Sequence, residues 1–251
     1  MAYIDGEESY RSVGRDLGVM PHTVWGWVQE LGAQCKSFAE VAAELRPTSD
    51  GYLFADGRTV RIRGVKYAIC LTADAGTQDV PHAGLFAHED YRAWQTTFLA
   101  VKALAYPLKG LILDDDPALW AAAQDVFPDA CAPRQLCLVH VMRQLRCWLK
   151  YTARIPIVIH EPFLTLCHRF CYAVSHAHLV HLHAEWSTAR PQFLREGLAD
   201  AVALFESKFP VLWTYLDYPG MPRTSNVIEA IIRQLGRKLD DTDGFQTPGT
   251  A

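Results

Sequence analysis

The chain has 251 residues, half of them apolar and 21% charged, with a net charge of −4. That much apolar material predicts one or two packed domains and excludes a disordered or disulfide-stapled chain. No run approaches the roughly 18 uninterrupted apolar residues of a membrane span, and the acidic start, Met1 to Glu8, has no apolar signal core. The seven cysteines are an odd number, so we expect reduced thiols, no membrane contact and a cytoplasmic protein.

From Ser9 to Leu31 the chain reads as two helices about a tight turn. Ser9 suits an N-cap, Val13 and Leu17 share an inward face, Gly18 closes the first helix, and Pro21 opens the second. Val24, Trp27 (or Val28) and Leu31 form the apolar stripe of that second helix. The pattern is that of a helix-turn-helix within residues 1–46, whose second helix would enter a DNA major groove with Pro21, His22, Thr23 and Gln29 facing the bases. A plain helical hairpin has the same pattern. Eight acidic residues against Arg11, Arg15, Lys36 and Arg46 in the first fifty argue against tight DNA binding by this part alone. Phe38 to Leu45 predicts a short helix, and Pro47 to Gly51 a linker turn.

Strands follow. Gly51 to Arg58 contains Asp56-Gly57, a turn signal; Thr59 to Arg63 alternates; Val65 to Thr72 is apolar and β-prone, which together predict a three-stranded antiparallel meander. Tyr91, Trp94, Phe98 and Val101 lie at helical spacing over residues 89–104. Lys109 to Asp114 is a short apolar strand ending in three aspartates, Pro117 to Val126 is helical, and Gln135 to His140 is a short strand or strand–helix junction. From Val141 to Phe209 the pattern is helical, and a last helix spans Ser225 to Leu239. The order predicts an α/β chain with an RNase H-like mixed sheet flanked by helices. Its core begins over residues 51–145, a helical insertion occupies 146–218, and the final helix lies in 219–251.

A hard divalent ion takes oxygen ligands, so carboxylates at strand ends are the first candidates. Asp56 and Asp114 meet that description, and Glu229 sits on a basic amphipathic helix with Asn226 at i−3 and Arg233 at i+4. Asp114-Asp115-Asp116 reads equally as a helix N-cap cluster. Cys137 and His140 have the spacing of half a zinc site. His160, Cys167, His168, Cys171, His176, His178, His181 and His183 crowd the helical block. They are either transition-metal ligands or, more plainly, packed thiols and surface histidines. Trp148, Trp186 and Trp213 are expected to build the core of that block.

The chain from Tyr52 onward resembles the catalytic region of the Mutator-type DDE transposases, which include bacterial insertion-sequence transposases. The resemblance rests on Asp56-Gly57; on Leu111-Ile-Leu-Asp114 with Val126-Phe-Pro128; on Gln135-x-Cys137-x-x-His140; and on Thr224-Ser-Asn-Val-Ile-Glu229 with Gly244-Phe245. The helix from Glu89 through Tyr91, Trp94 and Phe98 is also similar. The resemblance implies that Asp56, Asp114 and Glu229 are the catalytic residues and ligands of two Mg²⁺ (or Mn²⁺) ions, supported by Cys137, His140 and Asn226. It implies cleavage of DNA at transposon terminal inverted repeats and strand transfer into target DNA by a homo-oligomer, with Arg233, Arg237 and Lys238 joining the N-terminal residues on DNA. Three departures matter. Asp115 stands where the family has glycine, which makes it a rival ligand. The family's further C-terminal helix is expected beyond Gly244-Phe245, and the N-terminal unit is short, so a shortened transposase is expected, with a catalytically inactive DNA-binding derivative as the alternative.

Overall fold

A computed structural model describes residues 9–62, 64–128 and 133–240. Three short helices come first: α1 (Tyr10–Leu17), α2 (Pro21–Ala33) and α3 (Phe38–Leu45). Each begins where the sequence directs it. Ser9 accepts a hydrogen bond from Ser12 N, Gly18 ends α1 in the left-handed region at φ 69°, and Pro21 starts α2. Ser37 and Glu40 form a reciprocal capping box on α3.

The inward faces expected of α1 and α2 are only partly met. Val13 and Val24 are buried, but Leu17, Trp27 and Leu31 are 60%, 44% and 52% exposed. Two helices packed on each other cover one stripe each and leave the flanking apolar positions in water. His22 is exposed, and Thr23 and Gln29 are half-buried.

Five strands, β1 (Tyr52–Ile62), β2 (Val65–Asp74), β3 (His82–Phe86), β4 (Gly110–Leu113) and β5 (Arg134–Leu136), form one mixed sheet in the order β3-β2-β1-β4-β5. β2 and β3 are antiparallel, from Ala68 opposite Phe86 to Thr72 opposite His82. β1 and β2 are sheet neighbours two residues apart in the chain, which only an antiparallel pairing allows. β4 runs parallel to β1 and to β5, with Phe54 opposite Ile112 and Leu113 opposite Leu136. This is the α/β, RNase H-like order that the sequence predicts.

The meander differs in detail. The two segments expected to meet at Asp56-Gly57 are one continuous strand, β1, and the third strand is His82–Phe86. Gly57 serves close approach instead of a turn: a Cβ there would lie 2.2 Å from Glu89 Oε1. Glycine within a strand commonly marks such a contact.

Helices α4 (Tyr91–Ala103), α5 (Pro117–Val126), α6 (Leu138–Cys147), a π turn (Trp148–Thr152), α7 (Ile157–Cys171), α8 (His176–Arg195), α9 (Ala199–Glu206), α10 (Phe209–Leu212) and α11 (Asn226–Asp240) complete the described chain. The expected junction after Gln135 is β5 leading straight into α6. Among the described residues no helix is long and apolar enough to cross a membrane.

The chain divides into two compact units. The first comprises the residues up to Asp50, Ala55–Pro107 and the chain from Asn226 onward. In it α4 packs on β2 and β3, and α11 packs on β2. Its tightest polar knot is Asp74, fully buried at the end of β2. The Asp74 carboxylate accepts from Asp50 N, Gly76 N, Thr77 N and Thr77 Oγ1 at 2.8–3.1 Å, and from the Tyr106 hydroxyl. Burial and this bond hold the Tyr106 phenol protonated, its pKa pushed up.

The second unit is Gly51–Phe54 with Leu108–Ser225. Its helical block closes on an aromatic core. Phe170 stacks on Phe209 with centroids 5.7 Å apart, and Phe163 meets Phe193 edge-on at 5.4 Å. Trp186 is buried with its Nε1 donating to Glu206, and Trp213 Nε1 donates to Phe170 O.

Asp74→Ala strips an acceptor from these buried donors and should cost about 3 kcal/mol, against about 1 kcal/mol for Tyr106→Phe. Urea unfolding midpoints measure both, and equal small losses would contradict the knot.

Candidate functional site

β4 is buried on both faces, as a central parallel strand must be: Leu111, Ile112 and Leu113 have no exposed surface. The chain therefore leaves the sheet abruptly at Asp114. Ligands of open α/β sheets bind beyond the carboxyl ends of the strands, and a cleft of about 460 Å³ lies here, bordered by Asp114, Asp115, His140, Arg143, Gln144 and Cys147.

The three consecutive aspartates have three different surroundings. Asp116 is the N-cap of α5, accepting from Ala118 N at 2.6 Å and Leu119 N at 3.2 Å. Asp115 is bound by the ammonium of Lys208 and by Gln144 Nε2 at 3.4 Å, and the Lys208 side chain is only 14% exposed. Asp114 faces the cleft, with Oδ1 accepting from Asp116 N at 3.2 Å. The N-cap reading thus applies to Asp116 alone.

Burial pushes the Asp114 carboxyl above the usual carboxylate range. The imidazole of His140 and the Asp116 N–H partly oppose this, and the neighbouring Asp116 and Asp115 charges add to it.

Cys137 sits at the turn from β5 into α6. Its N–H donates to Leu113 O at 2.7 Å, which ties the ends of β5 and β4 together. Its thiol is fully buried, 2.9 Å from Ser225 Oγ, and accepts from Ser225 N at 3.3 Å. Burial raises the Cys137 pKa, but hydrogen bonds with His140 and Ser225 and the His140 charge outweigh it and leave the thiol below its ordinary value. Leu138 N donates to Arg223 O at 3.2 Å. The Cys137 element therefore anchors the segment that leads into α11.

Asp56 and Glu229 belong to the first unit. Asp56 is half-buried within β1, and its Oδ1 accepts from Gly57 N at 2.8 Å. Glu229 is half-buried in the first turn of α11, with Asn226, Arg233 and Arg237 exposed along the same helix. A Cβ at Gly236 would lie 2.5 Å from the Arg58 guanidinium, so α11 and β1 approach closely there. The Lys238 side chain and Gly244-Phe245 lie outside the described residues. Glu89, which the sequence offered only as the start of the helix through Tyr91, Trp94 and Phe98, rests its carboxylate on Gly57. Lys208 carried no local signal at all, because it lies 93 residues from Asp115.

The donors fit a hard cation chemically, since Asp56, Asp114 and Glu229 are oxygen ligands. Among the described residues no group of three or more His, Cys, Asp or Glu is arranged to hold a metal ion. In the Cys/His-rich block, burial, hydrogen bonds and ring packing surround the side chains. Burial holds the Cys167 thiol well above its ordinary pKa and pushes Cys171 up to about 12. His176 bonds Asp217 at 2.9 Å, His160 Nδ1 bonds Ile155 O at 2.9 Å, and His183 packs against Phe170 and Phe209.

No family model matches the chain, and no curated protein matches it. Among solved structures it is similar to the HTLV-2 integrase catalytic core domain in complex with magnesium. The dimeric form superposes with a TM-score of 0.32 and 12% identity over 51% of this chain and 89% of that one. The trimeric form gives 0.32 and 12% over 50% and 87%. The simian T-cell lymphotropic virus intasome in complex with PP2A regulatory subunit B56 gamma gives 0.30 and 10% over 50% and 49%. At these values the fold rests on its own strand order and the site on its own geometry.

A raised folded pKa means that Asp114 favours folding fully below the unfolded value near 3.8, and that this contribution is lost as pH rises through the folded value. Asp114→Asn should therefore be more stable than the parent at pH 7, with the difference shrinking as pH falls toward 4. Urea midpoints across that range decide it; a less stable variant at pH 7 contradicts the assigned environment.

Proposed function

We propose that this chain is a DDE-type polynucleotidyl transferase, a Mutator-type DNA transposase that cleaves transposon ends and joins them to target DNA. The observation that carries the reading is the Asp114 carboxylate beyond the end of a central parallel strand, facing a cleft with His140 and Arg143, while Asp115 and Asp116 are committed to Lys208 and to a helix N-terminus. That commitment favours Asp114 over Asp115 as the ligand.

In this reading Asp56, Asp114 and Glu229 hold two Mg²⁺ or Mn²⁺ ions. Such ions supply Lewis-acid activation of the attacking oxygen and neutralise charge at the leaving oxygen of a phosphodiester. Arg143 orients the phosphate at the mouth of the cleft. His140 supplies positive charge beside Asp114 and holds the Cys137 thiol, and Cys137 with Ser225 positions the start of α11, where Asn226 and Glu229 lie. His22, Thr23 and Gln29 on α2, and Arg233, Arg237 and Lys238 on α11, contact DNA. The reaction is in-line displacement at phosphorus, first by water and then by the freed 3′-hydroxyl, and it depends on positioning and charge. Two transposon ends acting together call for a homo-oligomer.

Asp114→Asn and Glu229→Gln should each lower Mn²⁺-dependent cleavage of terminal-repeat DNA by at least about 10²–10³-fold, and Asp115→Asn by far less. Parent-like cleavage by Glu229→Gln removes Glu229 from the site. A parent that binds terminal-repeat DNA without cutting it is the inactive derivative instead.

A further inference from the structure

Between Asp129 and Glu161 the chain carries Arg134, Arg143, Arg146, Lys150 and Arg154 and not one carboxylate, although the whole protein has 28 acidic residues and a net charge of −4. The structure gives this run a surface. Helix α6 and the π turn bury Leu138, Val141, Met142, Leu145 and Leu149 on one face. The opposite face holds Arg143, Arg146 and Lys150, all exposed and spaced three or four residues apart, and Arg154, also exposed, follows two residues past the π turn. The row begins at the cleft, since Arg143 borders it with Asp114. Past the middle of the row Tyr151 stands 65% exposed, with the Lys150 ammonium 4.9 Å from its ring centroid. π turns often mark functional positions; here the turn keeps Leu149 buried while Lys150 and Tyr151 face out.

We propose that this row is the track along which the sugar–phosphate backbone of duplex DNA leaves the Asp114 cleft. The seven residue steps of helix from Arg143 to Lys150 span about 10 Å, close to three base-pair steps of roughly 3.4 Å, and Arg154 follows just past the π turn. A single line of cations without interleaved carboxylates matches a line of phosphates. The choice of duplex DNA rests on the transposase reading. The track is separate from the residues on α2 and α11 assigned to DNA above.

The test is the salt dependence of binding, read by fluorescence anisotropy on a labelled 30-base-pair duplex in EDTA, where no cleavage occurs. Each phosphate contact adds about 0.9 to the slope of log affinity on log salt. The parent should show a steep slope. The triple variant Arg146→Gln, Lys150→Gln, Arg154→Gln should be shallower by about 2.7, which is about 40-fold less affinity lost between 50 and 200 mM salt. Lys150→Gln alone should be shallower by about 0.9 and serves if the triple variant does not fold. A triple variant that folds and keeps the parent's slope and affinity overturns the track, as does a parent that prefers single-stranded DNA or does not bind the duplex. The two readings fail separately. A parent that binds along the row yet never cuts DNA overturns the chemistry and keeps the track. A parent that cuts DNA while the triple variant keeps its slope does the reverse.

Discussion

The parallel pairing of β4 with β1 on one side and β5 on the other is the constraint from which the site follows. A four-residue strand with no exposed surface contributes on the order of 1.5–3 kcal/mol for each large apolar side chain it buries. It also admits no polar group until it ends. The first residue beyond it is therefore where a carboxylate can reach solvent without leaving the frame of the sheet. Asp114 occupies that position, and Cys137 N bonded to Leu113 O closes the same edge from β5.

Charge is sorted around this edge by burial and by partner. All three aspartates border the cleft, and the charges of Asp116 and Asp115 disfavour that of Asp114. Lys208 removes Asp115 from the competition and the N-terminus of α5 removes Asp116. The remaining carboxyl, Asp114, is the one whose charge is disfavoured, first by burial and then by the neighbouring Asp116 and Asp115. Asp74 shows the contrary solution in the other unit: a buried carboxylate surrounded by donors, which organises a turn and leaves no oxygen for a ligand.

Much of this could be read from the sequence where local chemistry decides. The Ser37–Glu40 capping box, Gly18 after α1, the β4 run and the boundaries of α5 each follow from a few neighbouring residues. The misses occur where a distant partner decides. Asp56-Gly57 has the composition of a turn, but Glu89, more than thirty residues on, uses the glycine for close packing and the strand continues. Leu17, Trp27 and Leu31 have the right spacing for a core, yet burial depends on a third surface that spacing cannot supply. β3 lacks alternation because its five residues are all half-buried. The roles of the three aspartates could not be separated without Lys208 and Gln144, both remote in sequence.

As proposed, the end of β4 would hold a divalent cation on Asp114. Amide NMR spectra of the ¹⁵N-labelled protein during titration with Mn²⁺ test it directly, because the ion broadens signals close to where it binds. Selective broadening is expected at residues 113–116 and 138–144, reversed by excess Mg²⁺ and absent in Asp114→Asn. Broadening centred on the Cys167–His183 block, or none at the end of β4, would contradict it.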